Sequence, residues 1–153
     1  MKERYKTPSA VFAIFINENQ VLLQKRQNTG YMDGYYDFAA SGHVEQNESM
    51  TDALIREVRE ELAVDISRDV VEFGTLMHKH EESIVYYNGF FIIRGNSYDF
   101  KINEPEKCSE LKWAEINHLP EKLIFDRRLA LQNIFRKVPY SEIGWNDVRK
   151  SID

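Results

Sequence analysis

The sequence of 153 residues has little of what several classes of protein need. Its one cysteine excludes an internal disulfide and favours a reducing compartment, so we expect a cytoplasmic protein. The longest apolar run, Ala10–Ile16, is far shorter than the ~20 residues of a membrane-spanning helix. This run follows a basic N-terminus, but the polar residues Asn17–Gln20 come after it instead of a small-residue cleavage site. It therefore predicts a buried strand, with no membrane partner.

The chain also lacks a basic surplus and any stretch rich in both proline and glycine. Its 20 lysines and arginines face 25 acids, a net charge of −5, which disfavours a nucleic-acid polymer as partner. Four prolines and seven glycines are scattered, so no linker or low-complexity segment is indicated. Since one domain usually takes about 100–200 residues, we expect residues 1–153 to form a single domain.

What is present alternates between strand and helix patterns. Runs of β-branched and aromatic residues predict strands at Ser9–Ile16, Val21–Arg26, Tyr36–Ala40, Val70–His80, Ile84–Arg94 and Leu111–Ile116, with Tyr98–Ile102 as a further candidate. Helices are predicted at Glu48–Leu62, Leu119–Phe125 and Arg127–Val138. Residues from Pro139 onward show little pattern. This order predicts a mixed α+β or α/β sandwich.

The first predicted helix carries an acidic cluster beside its apolar face. At 100° per residue, Glu57, Glu60 and Glu61 fall within about a third of the helix circumference and are neighbours. Arg56 projects away from the centre of the cluster on a helical wheel. A divalent cation is then the better partner, because Mg²⁺ prefers hard oxygen ligands. The alternative is an ordinary solvated acidic face.

The spacing of these residues carries more information than their charge. The order G-x5-E-x7-R-E-U-x-E-E, where U is an aliphatic residue, is filled by Gly42, Glu48, Arg56, Glu57, Val58, Glu60 and Glu61. Six fixed positions at a typical ~7% usage match on the order of once in 10⁷ starts. Gly42–Val64 resembles the Nudix box over its whole length. The resemblance to this family, the Nudix (MutT-type) hydrolases, implies an α/β/α sandwich with a mixed β-sheet.

One position departs from the family pattern, which ends in glycine followed by an aliphatic residue. Here those two residues are Ala63 and Val64. A glycine just past a helix permits a left-handed backbone, which costs another residue on the order of 1 kcal/mol. We expect either that Ala63 adopts this strained conformation or that the helix ends differently.

The resemblance implies a reaction and a set of residues. Family members hydrolyse diphosphate linkages with bound divalent metal, here Mg²⁺ or Mn²⁺. The implied metal ligands are the primary pair Glu57 and Glu61, then Glu60, the carbonyl of Gly42 and, as a further candidate, Glu48. Arg56 matches the residue that braces the loop before the helix through Glu48. We therefore expect the acidic surplus of the chain to lie largely at this local cation site.

Members often use one more glutamate outside the box, as ligand or general base. The candidates are Glu104, Glu106 and Glu110, of which we favour Glu110 because it directly precedes a predicted strand. The alternative for each is an ordinary loop acid.

The substrate is expected to be a small nucleotide. Lys107 and His43 are candidates to contact phosphate and Tyr36 to stack on a base, against the alternatives of loop, structural and packing roles. The proline that often follows the box in ADP-ribose hydrolases is missing, which favours a nucleoside triphosphate or another nucleoside diphosphate derivative. A non-catalytic nucleotide-sensing module is the main alternative. An isopentenyl-diphosphate isomerase-like enzyme is disfavoured by the position of Cys108. A homodimer is compatible with the family.

Overall fold

The computed structural model describes residues 2–146, in which one mixed sheet carries an α-helix on each face. The elements are β1 (Ser9–Asn17), β2 (Gln20–Arg26), β3 (Tyr36–Phe38), β4 (Ala40–His43), α1 (Met50–Leu62), β5 (Glu72–Glu81), β6 (Ile84–Arg94), β7 (Cys108–Glu115), α2 (Phe125–Phe135) and β8 (Tyr140–Ile143). The predicted α/β/α sandwich is confirmed.

The sheet is built around β1. The strand order is β3-β2-β1-β6-β5-β8, while β4 pairs with β1 and β7 pairs with β2. The β1–β6 and β5–β8 pairs are parallel and the other pairs are antiparallel. This arrangement brings β4, which carries the box glycine, against the N-terminal half of β1.

β1 sends alternate side chains into two hydrophobic cores, because side chains of a strand point to opposite faces in turn. Phe12 packs in the core that contains Leu131 of α2, and Phe15 packs in the core that contains Leu54 of α1. Since a helix covers each face, every residue of Ala10–Ile16 is buried. This explains why β1 has a continuous apolar run instead of an alternating pattern.

α1 has a defined start and a strained end. Ser49 is the N-cap, and its hydroxyl accepts a hydrogen bond from the backbone N–H of Asp52 at 3.1 Å. Past the last residue, Leu62, Ala63 has φ 56° and ψ 38°, and its N–H donates to the carbonyl of Arg59 at 3.0 Å. Of the two outcomes expected at this position, Ala63 adopts the left-handed backbone.

Replacing Ala63 with glycine is expected to raise the free energy of unfolding by about 0.5–1 kcal/mol, because glycine adopts a left-handed backbone without steric penalty. The same change at Ala53, which is buried inside α1, should lower it by about 1 kcal/mol or more. Urea denaturation measures both changes. An Ala63→Gly variant no more stable than the wild type would show that Ala63 is not strained.

Two predicted segments are wrong. Tyr98–Ile102 forms no strand; the rings of Tyr98 and Phe100 instead pack on Phe15, at centroid distances of 5.7 and 4.8 Å. The predicted helix Leu119–Phe125 does not form; only Phe125 is helical, as the first residue of α2. The N–H of Tyr36 donates to the carbonyl of Lys122 and the carbonyl of Tyr36 accepts from the N–H of Ile124, which holds the chain beside β3. The aromatic and apolar residues in both segments pack against the rest of the protein without forming the predicted strand or helix.

Other boundaries differ in smaller ways. The predicted strand Tyr36–Ala40 is interrupted at Ala39, giving β3 and β4. The unpredicted strand β8 pairs in parallel with β5, with Tyr140 opposite Leu76. Four residues with no local pattern form this strand only because a distant partner supplies the backbone hydrogen bonds.

Candidate active site

Strand β4 places the box glycine against the glutamates of α1. A Cβ atom on Gly42 would lie 2.1 Å from Cδ and 2.2 Å from Oε1 of Glu57, so glycine alone leaves room for this carboxylate. The backbone N–H of Ser41 donates to Oε2 of Glu61 at 2.7 Å. One short strand therefore positions both carboxylates that the family resemblance implies as primary metal ligands.

The carboxylate of Glu61 is largely buried and forms no ion pair within the described chain. Burial is the main cause that raises the pKa of Glu61 to about 8, and the nearby carboxylates of Glu57, Glu104 and Asp37 raise it further. Burial also raises the pKa of Glu57, although Arg56 acts in the opposite direction. The site thus concentrates carboxyl groups in a poorly solvated position, where their ionised forms are disfavoured without a cation.

Arg56 ties α1 to the loop that precedes it. Its guanidinium donates to both oxygens of Glu48 at 2.8 Å and to the carbonyl of His43 at 3.0 Å. Hydrogen bonds from Arg56 are the main cause that lowers the pKa of Glu48 to about 2. Arg56 also contacts Oε1 of Glu57 at 2.7 Å and Oε2 of Glu60 at 3.4 Å. The helical-wheel expectation that Arg56 projects away from the carboxylates is wrong, because its long side chain folds back over them.

Glu104 reaches the acidic cluster through the loop between β6 and β7. In this loop, Asn103 donates its backbone N–H to the carbonyl of Glu61 at 3.0 Å and its Nδ2 to the carbonyl of Glu60 at 2.8 Å. The last carbonyls of a helix lack partners within the helix, so they provide a docking point for the loop. Glu104 consequently lines a small cleft with Glu61, and its charge raises the pKa of Glu61 and of Glu57.

The other residues predicted outside the box lie in two places: Lys107 near Glu104, and Glu110 with Tyr36. Lys107 is exposed, lines the same small cleft, and has its Nζ 3.9 Å from Oε2 of Glu104. Glu110 accepts a hydrogen bond from the hydroxyl of Tyr36 at 3.1 Å. The Tyr36 ring also lies 4.9 Å from the ammonium of Lys112. The structure thus brings Glu104 into the charge environment of the box glutamates, whereas the favoured Glu110 accepts a hydrogen bond from Tyr36.

The donor set has the chemistry of a hard divalent cation site. Glu57, Glu61 and the carbonyl of Gly42 offer oxygen ligands, which Mg²⁺ and Mn²⁺ prefer. Within residues 2–146 no three histidine, cysteine, aspartate or glutamate side chains already converge as a ligand set. Arg56 holds Glu57, and the Ser41 N–H holds Glu61. A buried carboxylate without a cationic partner is unfavourable, and a bound cation would remove that penalty.

A cavity of about 370 Å³ adjoins the box on the face opposite α1. In the β4–β1 pairing, Ser41 lies opposite Phe12 and His43 opposite Ala10, so these side chains share the α2 face. His43 therefore lines the cavity, with its ring 5.8 Å from that of Tyr86. Gly42, between Ser41 and His43, is where the cavity and the acidic cluster meet.

A buried ionic network beside this cavity was missed in the sequence. Arg127 donates to Asp37 at 2.8 Å and to Asp126 at 2.9 Å, while Asp126 accepts from Lys79 at 2.7 Å and Asp37 from Arg26 at 3.1 Å. Apart from Arg26, these residues are buried. They come from four separate elements, so no local spacing marks them.

The comparison with known families agrees with this geometry. Residues 6–134 match the model of the NUDIX domain family. The chain belongs to the Nudix family. As a Nudix hydrolase, it acts on phosphoanhydride bonds of small nucleotide-type substrates. Within residues 2–146, no helix is long and apolar enough to cross a membrane.

Individual relatives of this Nudix hydrolase support the same family and fold. It is 31% identical over 92 residues to an 8-oxo-dGTP diphosphatase from Proteus vulgaris, which is 60% of this chain and 80% of that protein. The MutT NUDIX hydrolase of Burkholderia pseudomallei has a TM-score of 0.74 at 21% identity, covering 85% of this chain and 99% of the other. A MutT/nudix family protein of Enterococcus faecalis has a TM-score of 0.72 at 18% identity, covering 90% and 64%. The two solved structures show the shared fold.

The metal-free Nudix hydrolase is expected to lose stability as pH rises, relative to its Glu61→Gln variant. The folded pKa of Glu61, about 8, lies above its ordinary value of 4.5. The protonated carboxyl therefore contributes stability that is complete below about pH 4.5 and is lost as pH rises through about 8. Thermal unfolding in chelator across this range should show a Tm difference, variant minus wild type, that grows with pH. A constant difference would contradict the prediction.

Proposed function

We propose that this Nudix hydrolase is a Mg²⁺- or Mn²⁺-dependent pyrophosphohydrolase that cleaves a diphosphate linkage in a nucleoside triphosphate or another nucleoside diphosphate derivative. The observation that carries the proposal is the pair Glu57 and Glu61 held beside Gly42 and Ser41, with Glu61 partly buried and without an ion pair in the described chain. The 8-oxo-dGTP diphosphatase relative supports this class of substrate.

The residues of the site divide the work between holding metal and orienting its ligands. A bound divalent metal neutralises phosphate charge and lowers the pKa of its water. Glu57, Glu61 and the Gly42 carbonyl would hold it, and the half-exposed Glu60 would join through water. Arg56 orients this set through its bonds to Glu48 and Glu57. The main role of Glu48 is therefore to brace the loop before α1, and metal binding is secondary to it.

The positions of the cavity and the cleft suggest how the substrate lies. The phosphates would lie near Gly42, where His43 lines the cavity and the carboxylate of Glu57 lies close to the glycine. Lys107, an exposed residue that lines the small cleft, would meet the outer phosphates. Tyr36 packs beside Glu110 and the α2-side core, so we assign it a packing role instead of base stacking.

A substrate panel tests the proposed activity. The protein is incubated with Mg²⁺ or Mn²⁺ and nucleoside triphosphates, dinucleoside polyphosphates and nucleotide sugars, and the products are identified by mass. We expect hydrolysis of at least one member that stops in chelator and in the Glu61→Gln control. Tight nucleotide binding with no turnover above that control would instead support the non-catalytic sensing module.

Glu104→Gln is expected to lower kcat by about 10–100-fold, as is typical for a group that supports a metal site or accepts a proton from its water. Glu106→Gln is the matched control, because Glu106 is an exposed acid on the same loop, and it should keep near wild-type kcat. Glu110→Gln tests the alternative. A loss confined to the Glu110 variant would reject Glu104 and restore Glu110 as the additional glutamate.

We further propose that residues 1–153 act as one domain, in the cytoplasm, on small nucleotides and not on nucleic-acid polymers. The lone cysteine and the acidic charge balance support this setting. The family also makes a homodimer a reasonable expectation, which light scattering after size-exclusion chromatography would test.

A further inference from the structure

We propose that Asn88 selects the base of the substrate: its side-chain carbonyl oxygen accepts a hydrogen bond from an N–H group of a nucleobase in the cavity. This inference rests on the proposed function, because it assigns the base-binding part of the same site. Asn88 lies in the middle of β6, opposite Ala10 of β1 and Met77 of β5. It lines the cavity and is 4% exposed.

The carbonyl oxygen of Asn88 is unpaired in an otherwise well-satisfied interior. Within residues 2–146, Oδ1 of Asn88 is the one buried side-chain nitrogen or oxygen atom without a hydrogen-bond partner. Such an atom destabilises a folded protein, whereas an aliphatic residue here would extend the core around Met77 and Phe90. The Asn88 side chain makes no hydrogen bond within the described residues, so a half-turn of its amide would bring this acceptor to the cavity that the residue lines. An unpaired acceptor in such a position is typical of one whose partner is a ligand.

The charges around the cavity favour an uncharged ligand group at this depth. Three cationic side chains line it, and three acids pair with them: Asp37 with Arg127 and Arg26, and Asp126 and Glu81 with Lys79. These cations are therefore neutralised, and a phosphate gains little from them. A neutral group that donates a hydrogen bond matches Asn88 better than an anion does.

The walls of the cavity suit a flat aromatic ring. Tyr31 and Tyr86 contribute aromatic surface. The volume of about 370 Å³ lies within the ~300–1,000 Å³ range of small-ligand pockets. Aromatic side chains and a hydrogen-bonding amide are the usual means by which proteins hold a nucleobase.

The sheet register sets the distance between Asn88 and the box. Ala10 lies opposite Asn88 on one side and opposite His43 on the other. Neighbouring strands are about 4.8 Å apart, so Asn88 and His43 are separated by about 10 Å. This span is comparable to that between the outer edge of a base and its 5′-phosphate. A nucleotide with its base at Asn88 therefore places its phosphates beside Gly42.

Nucleoside binding in chelator tests the inference without requiring turnover. Three matched pairs are titrated and followed by NMR, each pair differing by the loss of an N–H donor: guanosine and 1-methylguanosine, adenosine and N6,N6-dimethyladenosine, uridine and 3-methyluridine. We expect the wild type to bind the donor-bearing member of at least one pair about 10–100-fold more tightly.

Asn88→Leu should reduce that discrimination to within about 2-fold, because leucine has similar volume and no acceptor. The Tm of this variant should equal or exceed that of the wild type, because the unpaired carbonyl is removed. Asn133→Leu is the matched control: Asn133 is also buried, but its Nδ2 donates to Ser141 at 3.1 Å, outside the cavity. That variant should have a lower Tm and keep the discrimination.

Two results would overturn the inference. One is discrimination that survives Asn88→Leu, which would indicate simple steric rejection of the methyl group. The other is the absence of discrimination, or of nucleoside binding, in the wild type. These titrations use no metal and no phosphate, so they do not depend on hydrolysis. If the substrate panel shows no hydrolysis but nucleoside binding depends on Asn88, the proposed hydrolysis is rejected and the base-binding site is retained.

Discussion

Glu57→Gln and Glu61→Gln are each expected to lower kcat by about 10²–10⁴-fold. Metal catalysis supplies several kcal/mol of transition-state stabilisation, and each 1.36 kcal/mol is a factor of ten. Glutamine keeps the shape of either side chain but removes the charge that binds a cation. Steady-state kinetics with the best substrate of the panel, at saturating Mg²⁺, measures the loss.

Glu60→Gln provides a graded comparison within the same helix. The side chain of Glu60 is 54% exposed, against 14% for Glu57, so its carboxylate stays accessible to water. We expect a loss of about 10-fold, in keeping with a water-mediated role. In chelator, the Glu61→Gln variant should have a Tm at least equal to that of the wild type, which separates lost catalysis from lost folding. Equal kcat for the Glu57, Glu60 and Glu61 variants and the wild type would contradict the proposed metal site.

Arg127→Met is expected to lower the free energy of unfolding by about 3–5 kcal/mol. Arg127 is paired with Asp37 and Asp126, which are 0% and 3% exposed, and its guanidinium lies 4.3 Å from the ring of Phe12. Methionine fills much of the same volume but leaves part of the buried negative charge uncompensated. Urea denaturation at neutral pH measures the change.

Arg94→Met is the matched control for this prediction. Arg94 forms an ion pair with Glu72 at 2.9 Å, but the two side chains are 61% and 51% exposed. Water and salt screen such a pair, so its loss should change stability by no more than about 1 kcal/mol. Similar losses in the two variants would show that the Arg127 network is not a special source of stability.

The sequence by itself determined the family, the sandwich fold and the acidic helix. This succeeded because helical spacing converts directly into spatial proximity: Glu57, Glu60 and Glu61 are neighbours on α1 whatever surrounds them. The continuous apolar run in β1 likewise required a strand covered on both faces. Each of these features could be predicted because it depends on residues that are close together in the sequence.

The tertiary structure alone decided which distant residues lie beside the box glutamates and the cavity. Glu104 approaches the glutamates because Asn103 docks on the end of α1, and no spacing in the sequence marks that contact. Asn88 becomes an unpaired group in a cavity only through the pairing of β6 with β1 and β5. Long-range strand pairing and helix docking create these neighbours, and the free energy of such contacts depends on the whole fold instead of the local sequence.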